Sequence, residues 1–444
     1  MGAKRRENKY HKIALKSQRG FSFGRPLRLC AVIASDCAEP KKTRRSVLAQ
    51  TYADYELFDA GSDALAAALK EDKYDVVVPN IAAPLPPDAF FRIAQAAALH
   101  PDADAFLSCG EGFDAYATAL FLAGDLGAAA SPCFTGKRPA ERTPAHTDAS
   151  ICAAMVVFNG DLEKAASNAE NIIRQVDFFY FVDNGSDDLS PLETRFNGNE
   201  KVRFIKNGEN KGIAYALNRA LDAADEGGFD WLLTLDQDTV CDPELISVYS
   251  RCLHLEKLGI VCPFIIHRGK CEPDEYLAEP KLEAEFFYSY DRCITSAALT
   301  NVAAAKAVGG WNDELFIDAV DFDINQKLLL NGYSILRAND AYIVQEIGER
   351  IPIRFFRFIY LITRIKKYNF ISYYSVHSDT RLYYIARNYK WFLKKYKQTS
   401  PAVNRWSNFK DMLLRFLLYP RKRSRIKMLR SIRRGRRDSR KMTY

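Results

Sequence analysis

The run Trp231-Leu-Leu-Thr-Leu-Asp236-Gln237-Asp238-Thr239 is apolar until it ends in two carboxylates one residue apart. A buried strand that stops in Asp-x-Asp delivers acidic groups to the rim of a sheet, where oxygen ligands can hold a divalent cation such as Mg2+ or Mn2+. A cation in that position serves phosphate chemistry. Further along, Phe316-Ile317-Asp318-Ala319-Val320-Asp321-Phe322-Asp323 gathers three more acids, so the chain offers a candidate metal site and a candidate general base. If this cluster is extended, Asp321 and Asp323 share a side; if it is helical, Asp318 and Asp321 share a face. Clustered carboxylates are costly to ionise together unless a cation or a positive partner is near, which favours a chemical role over a structural one.

The elements that would position these acids read as alternating strands and helices. From Ser150 the pattern predicts a strand at Ile151 to Phe158, a helix at Leu162 to Ile173 and a strand at Phe178 to Val182. The turn Asn184-Gly185-Ser186-Asp187 follows, then a strand at Val202 to Lys206, a helix at Ile213 to Ala224 and the strand that ends at Asp236. This is a nucleotide-binding α/β layout, with ligands expected beyond the carboxyl ends of the strands. An earlier alternation runs from Leu27 to about Leu126. It pairs apolar runs (Leu29 to Ala34, Tyr74 to Val78) with alanine-rich helical stretches (Ala64 to Leu69, Phe90 to Leu99). Ser131 to Thr147, rich in Pro, Thr, Lys and Arg, reads as a linker. The expected organisation is therefore a basic lead over 1–26, a first α/β unit over 27–130, a linker over 131–149, a main α/β domain over 150–350 and a helical, aromatic and basic region over 351–444.

At 444 residues the chain exceeds what one core usually organises. Ten cysteines without a CxxC pair, and no amino-terminal apolar segment of the signal-peptide kind, predict reduced thiols and a cytoplasmic location. No stretch reaches the roughly 20 apolar residues of a membrane span. The net charge of +8 is concentrated at the ends, above all in Arg421 to Lys441, where Met428, Leu429 and Ile432 are interleaved with the basic residues. Such a tail suits the anionic inner face of a plasma membrane, where each Lys or Arg contributes on the order of 1 kcal/mol. No nucleic-acid-binding motif accompanies the charge.

The two α/β segments also invite comparison. The helix, strand and turn that reach Asp59-Ala60-Gly61-Ser62 parallel those that reach Asp183-Asn184-Gly185-Ser186. Tyr74-Asp-Val-Val-Val-Pro79-Asn80 then stands where the later segment has its Asp-x-Asp strand, without the acids. This predicts an internal repeat whose first copy is degenerate and has a structural or docking role.

An ordered set of motifs spans about Ile151 to Asn388: Val156-Val157-Phe158-Asn159, Val182-Asp183-Asn184-Gly185-Ser186, Asn207 to Asn218, Leu235-Asp236-Gln237-Asp238-Thr239, Thr295-Ser296, Val308-Gly309-Gly310-Trp311, the 315–323 cluster and Tyr383-Tyr384-Ile385-Ala386-Arg387-Asn388. With these the chain resembles the family 2 glycosyltransferases, inverting enzymes of the GT-A fold, most closely their bacterial rhamnosyltransferase-like branch. The resemblance implies a GT-A nucleotide-diphospho-sugar transferase fold and transfer of a sugar, with rhamnose from dTDP-rhamnose as a candidate, to a glycan or lipid-linked acceptor in surface polysaccharide synthesis. It implies nucleotide contacts from Phe158, Asn159, Asp183, Asn184, Asn210, Gly212, Asn218 and Asp236, with Asp236 and Asp238 on the metal and Asp321 as the base. Thr295, Ser296, Trp311 and Asp318 fall in the implied acceptor pocket, the Trp as a stacking platform or as core.

Two departures stand out. Gln345-Glu346-Ile347-Gly348 occupies the place of a His-x-x-Gly element whose histidine can ligate the metal in relatives, leaving Glu346 as a substitute. Ala297 replaces a glycine beside Thr-Ser and would narrow the acceptor pocket. Two other readings compete. A nucleotidyltransferase would show a glycine-rich, Lys/Arg-bearing loop after its first strand, absent after Phe158. A non-catalytic glycan-binding or scaffold protein would be expected to lose Asp236, Asp238 and Asp321, which are intact.

Overall fold

A computed structural model describes residues 145–287, 290–346, 377–397 and 424–443 and, in pieces, 28–134 and 350–375. The basic lead over 1–26 lies outside the described residues, as do most of the alanine-rich stretches expected to be helical in the first unit.

The first sheet comprises β1 (Leu29–Ile33), β2 (Tyr55–Asp59), β3 (Val76–Ile81), β4 (Ala105–Leu107), β5 (Asp114–Ala117) and β6 (Pro132–Phe134), in the order β2-β1-β3-β5-β4-β6, with α1 (Pro40–Leu48) between β1 and β2. Pro132–Phe134 lies inside the segment expected to be a linker; it pairs parallel with β4, so the sheet reaches further along the chain than the composition of that segment suggests.

The second sheet follows in chain order as β7 (Ile151–Val157), α2 (Leu162–Ile173), β8 (Phe178–Asp183), α3 (Ser190–Arg195), β9 (Val202–Lys206), α4 (Ile213–Glu226), β10 (Trp231–Asp236), β11 (Val240–Cys241), α5 (Leu245–Ser250) and β12 (Leu258–His267). After these come α6 (Pro273–Ala278), β13 (Ala284–Phe287), β14 (Ala298–Asn301), α7 (Val302–Ala307), α8 (Val320–Leu330) and β15 (Ser334–Gln345). Its order is β11-β15-β12-β14-β10-β7-β8-β9, with β13 against β15. β7 is buried at every residue, which a parallel strand covered on both faces requires. Ile151, Ala153, Met155 and Val157 face a core shared with α2 and α5, while Cys152, Ala154 and Val156 face one shared with α4, α7 and α8. Asp161 caps α2 by accepting from the Lys164 N–H at 3.0 Å.

The two sheets share one plan. In the first, β1 is flanked by parallel β2 and β3, β3 by antiparallel β5, β5 by antiparallel β4, and β4 by parallel β6. In the second, β7, β8, β10, β14, β12 and β15 take those places in the same chain order and with the same senses. Asp59 lies opposite Ile33 at the end of β2, as Asp183 lies opposite Val157 at the end of β8.

The 351–444 region is not wholly helical. β16 (Arg350–Pro352) and β17 (Tyr373–Ser375) form an antiparallel pair, followed by α9 (Asp379–Lys395) and α10 (Arg425–Asp438). The apolar side of α10 does not face outward: Met428 and Ile432 are buried against Leu382 of α9. Gly435 lies so close that a Cβ there would stand 2.3 Å from the Tyr383 carbonyl oxygen. The outward side of α10 is mostly basic, with Arg425, Lys427, Arg430, Arg433, Arg434 and Arg437 among its exposed residues beside exposed Ile426. Among the described residues no helix is long and apolar enough to cross a membrane.

Candidate functional site

The carboxyl ends of β8, β7 and β10 lie side by side, with Asp183 opposite Val157 and Asp236 opposite Val156. Asp183 and Asp236 thus flank the end of β7 at two strand spacings, about 10 Å. The chain leaving β7 is held by Gln237, the residue between the two acids. Its Oε1 accepts from the Phe158 N–H at 3.0 Å and its Nε2 donates to the Asn159 carbonyl at 3.1 Å. Asn159 is left-handed, with φ 51°, and its side-chain oxygen accepts from the Asp187 N–H at 2.9 Å. The Phe158 ring stands exposed at the rim.

Asp183 is buried, and one carboxylate oxygen accepts from the Ser186 N–H at 2.9 Å. Asn184 and Asn210 lie together but turn their polar groups on the protein. The Asn184 amide donates to Asn210 Oδ1 at 3.1 Å, and its oxygen accepts from Asn207 Nδ2 at 3.3 Å and the Lys211 N–H at 3.2 Å. They knit the turn after β8 to the loop before α4.

Asp236 ends β10 and Asp238 is exposed in the turn beyond it. Burial first, and then the neighbouring Asp238 carboxylate, pushes the Asp236 carboxyl up to about 6, against a hydrogen bond from Ser296. Ser296 was expected in the acceptor pocket, but it is buried and shares a 2.7 Å hydrogen bond with Thr239 Oγ1, so it supports the acidic turn from beneath. Thr295 is partly exposed, and its carbonyl accepts from Thr234 Oγ1 at 2.5 Å. Ala297 does not narrow a pocket: it is fully buried at φ 55°, its N–H donating to the Thr234 carbonyl at 2.7 Å and its carbonyl accepting from Tyr249 Oη at 2.8 Å. Replacing glycine there strains the backbone instead.

The acidic cluster is neither all extended nor all helical. Phe316, Asp318 and Ala319 have φ of 62°, 66° and 62°, and α8 begins at Val320. These left-handed residues send the three acids to different partners. Asp318, expected at the acceptor, is engaged by Arg381, whose Nη2 and Nε lie 3.1 and 3.2 Å from its Oδ1. Asp323 is wholly buried, accepting from Tyr396 Oη at 2.6 Å and paired with Lys395 and Lys327 at 3.1 and 3.2 Å. Asp321 is left in the first turn of α8. Burial pushes its carboxyl up to about 7, helped by the charges of Asp318 and Asp236 and opposed by the Phe322 N–H at 2.9 Å.

Gly212 and Asn218, expected at the nucleotide, support this loop. Ile213 N–H donates to the Phe316 carbonyl at 2.7 Å, and a Cβ at Gly212, where φ is 91°, would stand 2.6 Å from that oxygen. Asn218 donates to the Trp311 carbonyl at 2.7 Å and to Asp313 at 2.6 Å, and accepts from the Trp311 N–H at 2.9 Å. Trp311 is a core residue packed among the residues that line α4 and α8, too buried to stack on a sugar. Gln345 lies beside His267 in the β12–β15 register. Glu346 is committed to Lys164 and Arg268, each at 3.2 Å, so it is not a free stand-in for the missing histidine.

Sequence reasoning missed Gln237, which reads as a spacer, and Arg381. It found Arg387 and Asn388 only as part of a motif. Their work is on the loop: Asn388 Nδ2 donates to the carbonyls of Leu315, Ile317 and Asp318 at 2.7, 2.7 and 2.8 Å.

Asp236 and Asp238 suit a divalent cation: two hard oxygen donors one residue apart, at the strand end and in the turn beyond it, one with a carboxyl raised by burial and by its neighbour. Among the described residues no three His, Cys, Asp or Glu side chains converge on one point, so substrate oxygens and water would complete the shell.

Residues 153–307 match the family model "Glycosyl transferase family 2". The chain is 26% identical over 257 residues to the "dTDP-rhamnosyl transferase RfbF" of Shigella flexneri, covering 56% of this chain and 81% of that protein. It is 28% identical over 170 residues to the "Poly-beta-1,6-N-acetyl-D-glucosamine synthase" of Staphylococcus aureus strain COL, covering 34% of this chain and 38% of that protein. Among solved structures, S. aureus TarS 1-349 in complex with UDP aligns at 14% identity and a TM-score of 0.36, over 66% of this chain and 92% of that one.

Proposed function

We propose that the chain, whose residues 153–307 match the glycosyl transferase family 2 model, transfers a sugar from a nucleoside-diphosphate donor to a glycan or lipid-linked acceptor, with inversion at the anomeric carbon. Asp183 receives the base and Asp236 and Asp238 face the diphosphate. Asp236 and Asp238 would hold a divalent cation, which would supply positive charge against the charge growing on the diphosphate as the glycosidic bond breaks. Asp321 takes the proton from the acceptor hydroxyl. That oxygen forms the new bond to the anomeric carbon from the side opposite the diphosphate, which departs with the electron pair of the broken C–O bond. The observation that carries this reading is Asp321, a carboxyl raised to about 7 and within electrostatic reach of Asp236, since a base is most effective when its pKa lies near the working pH.

The donor is proposed as dTDP-rhamnose, on the strength of the Shigella flexneri relative. The test is release of nucleoside diphosphate from a panel of sugar nucleotides with Mg2+ or Mn2+, comparing the intact chain with Asp238→Ala and Asp321→Asn. Selective turnover of one donor, lost in both variants, supports the reading. Turnover that survives Asp321→Asn undamaged removes Asp321 as the base.

The first unit we read as a degenerate copy with a structural or docking role. At the end of its β2, Asp59 is paired with Arg44 at 2.9 Å, and β3 ends in Pro79-Asn80-Ile81, without acids. One bound nucleotide per chain is the expected stoichiometry by equilibrium titration, and two would overturn this assignment. The basic outward side of α10 is proposed to contact an anionic bilayer surface from the cytoplasmic side. With Met428 and Ile432 turned inward and Ile426 left exposed, that contact is mainly electrostatic and should weaken as salt rises.

A further inference from the structure

The loop that precedes Asp321 is anchored in the core by Leu315 and to α4 by the Ile213 N–H on the Phe316 carbonyl. From Asp313 to Ala319 it contains three left-handed non-glycine residues, a conformation that costs on the order of 1–3 kcal/mol per residue and persists only where its surroundings impose it. Beside these contacts from the start of α4, α9 imposes it through a second set. Wholly buried Asn388 spends its amide on three loop carbonyls, Arg387 donates to the carbonyls of Glu314 and Leu315 at 2.5 and 3.0 Å, Arg381 holds Asp318, and the Tyr384 ring stacks on Phe316 at 4.8 Å. On its far side α9 is held by α10 through the Gly435–Tyr383 approach, by Lys390 donating to the Arg436 carbonyl at 2.6 Å and by Tyr383 donating to Asp438 at 3.2 Å. The chain beyond α10 then returns to the loop. Thr443 N–H and Oγ1 donate to the Glu314 carboxylate at 3.1 and 3.0 Å, and Trp391 Nε1 donates to the Thr443 carbonyl at 2.5 Å.

We infer that α9 and α10 form a clamp in which Asn388, Arg387 and Arg381 are positioning residues, setting the place of Asp321 through the 313–319 loop. The inference rests on the proposed role of Asp321. None of the three need touch substrate; each acts by fixing backbone that otherwise relaxes out of the left-handed region. Donor binding draws on the ends of β7, β8 and β10, which the clamp does not touch. Loss of the clamp should therefore lower turnover and spare donor affinity.

The test uses the full chain with Arg381→Met and Gly435→Ala. The first removes a half-exposed guanidinium and the second pushes α10 off α9 by one methyl group, both remote from the sheet core. Each is read by amide hydrogen exchange over 314–322, with β7 and β10 amides as internal reference, and by kcat and donor KM. The expected result is faster exchange in 314–322 alone, a fall in kcat on the order of 10–100-fold, as displacement of a reacting group by about 1 Å produces, and a donor KM within about twofold. Unchanged exchange and unchanged kcat in both variants would overturn the clamp, and so would exchange that rises equally in β7 and β10. If neither the intact chain nor the variants turn over any donor, the proposed function fails while exchange still decides whether the clamp exists. Should Gly435→Ala not fold, Thr443→Val, which removes the Oγ1 contact to Glu314, takes its place with the same readouts.

Discussion

Replacing Asp321 with Asn should inactivate the protein and stabilise it, and the stabilisation should depend on pH in a defined direction. In the folded chain this carboxyl is raised from 3.8 to about 7. At about 1.4 kcal/mol per pKa unit, a shift of about three units corresponds to roughly 4 kcal/mol of strain when Asp321 is ionised. The negative charge at the start of α8 recovers part of the cost of its burial, so a net gain of about 2–3 kcal/mol for Asn is the working figure. The sign follows from linkage. Below the unfolded pKa both states are protonated and the two proteins should be equally stable. As pH rises from about 4 to 7 the folded wild type holds a proton that the unfolded chain has released, so its relative stability falls, and above 7 the deficit is complete. For a domain of 150–250 residues about 1 kcal/mol moves Tm by roughly 2–4 °C, so Asp321→Asn should melt several degrees above wild type at pH 8, with the gap closing as pH falls to about 3. Calorimetric or fluorescence melts in EDTA measure this, and added Mg2+ or Mn2+ should narrow the gap at pH 8 by offsetting the same charge. A variant that melts below wild type at pH 8, or a difference that does not change with pH, would refute the electrostatic account of the site.

Other substitutions probe other parts of the assembly. Asp238→Ala should abolish the rise in Tm that Mn2+ gives the wild-type chain, because Asp238 is a proposed ligand; an undiminished rise would move the cation elsewhere. Gly212→Ala should cost more than about 1 kcal/mol and lower kcat, since its Cβ would stand 2.6 Å from the Phe316 carbonyl oxygen at a φ that disfavours any side chain. Asp323→Ala should cost about 3–5 kcal/mol in thermal or denaturant unfolding, because it leaves Lys327 and Lys395 without their buried anion. Flotation with anionic vesicles should weaken from about 0.1 to 0.5 M salt if α10 binds through charge alone, whereas salt-independent flotation would point to an inserted apolar group.

Much of the frame was legible in the sequence because its signals are local. The apolar run at 151–158 and the Trp231–Asp236 strand ending in acid match their strands within a residue, and the helix expected at 162–173 has those boundaries. What remained hidden depends on contacts between distant residues or on backbone that no periodicity records. Three clustered acids at 318, 321 and 323 fit a strand or a helix equally until left-handed Asp318 and Ala319 send them in separate directions. Ser296 and Trp311 have the chemistry of a binding pocket, and only their burial assigns them to support and core. Gln237 between two metal-type acids carries no pattern of its own. The apolar residues of α10 suggest a membrane face until Leu382 is found beneath them.

The dependence of the Asp321 loop on α9 has a consequence for the order in which the molecule is made. Translation delivers β15, and with it every strand of the second sheet, before it delivers Arg381, Arg387 and Asn388. A nascent chain at that stage has all these strands and the Ile213 N–H on the Phe316 carbonyl, yet the carbonyls of Leu315, Ile317 and Asp318 still lack the Asn388 amide, and one face of the sheet still lacks Trp391 and Phe392. Folding of the sheet and assembly of the base are therefore separate events, and the second awaits a helix that contributes no strand and no proposed substrate contact. The polypeptide would become a catalyst only some time after it had become a folded protein.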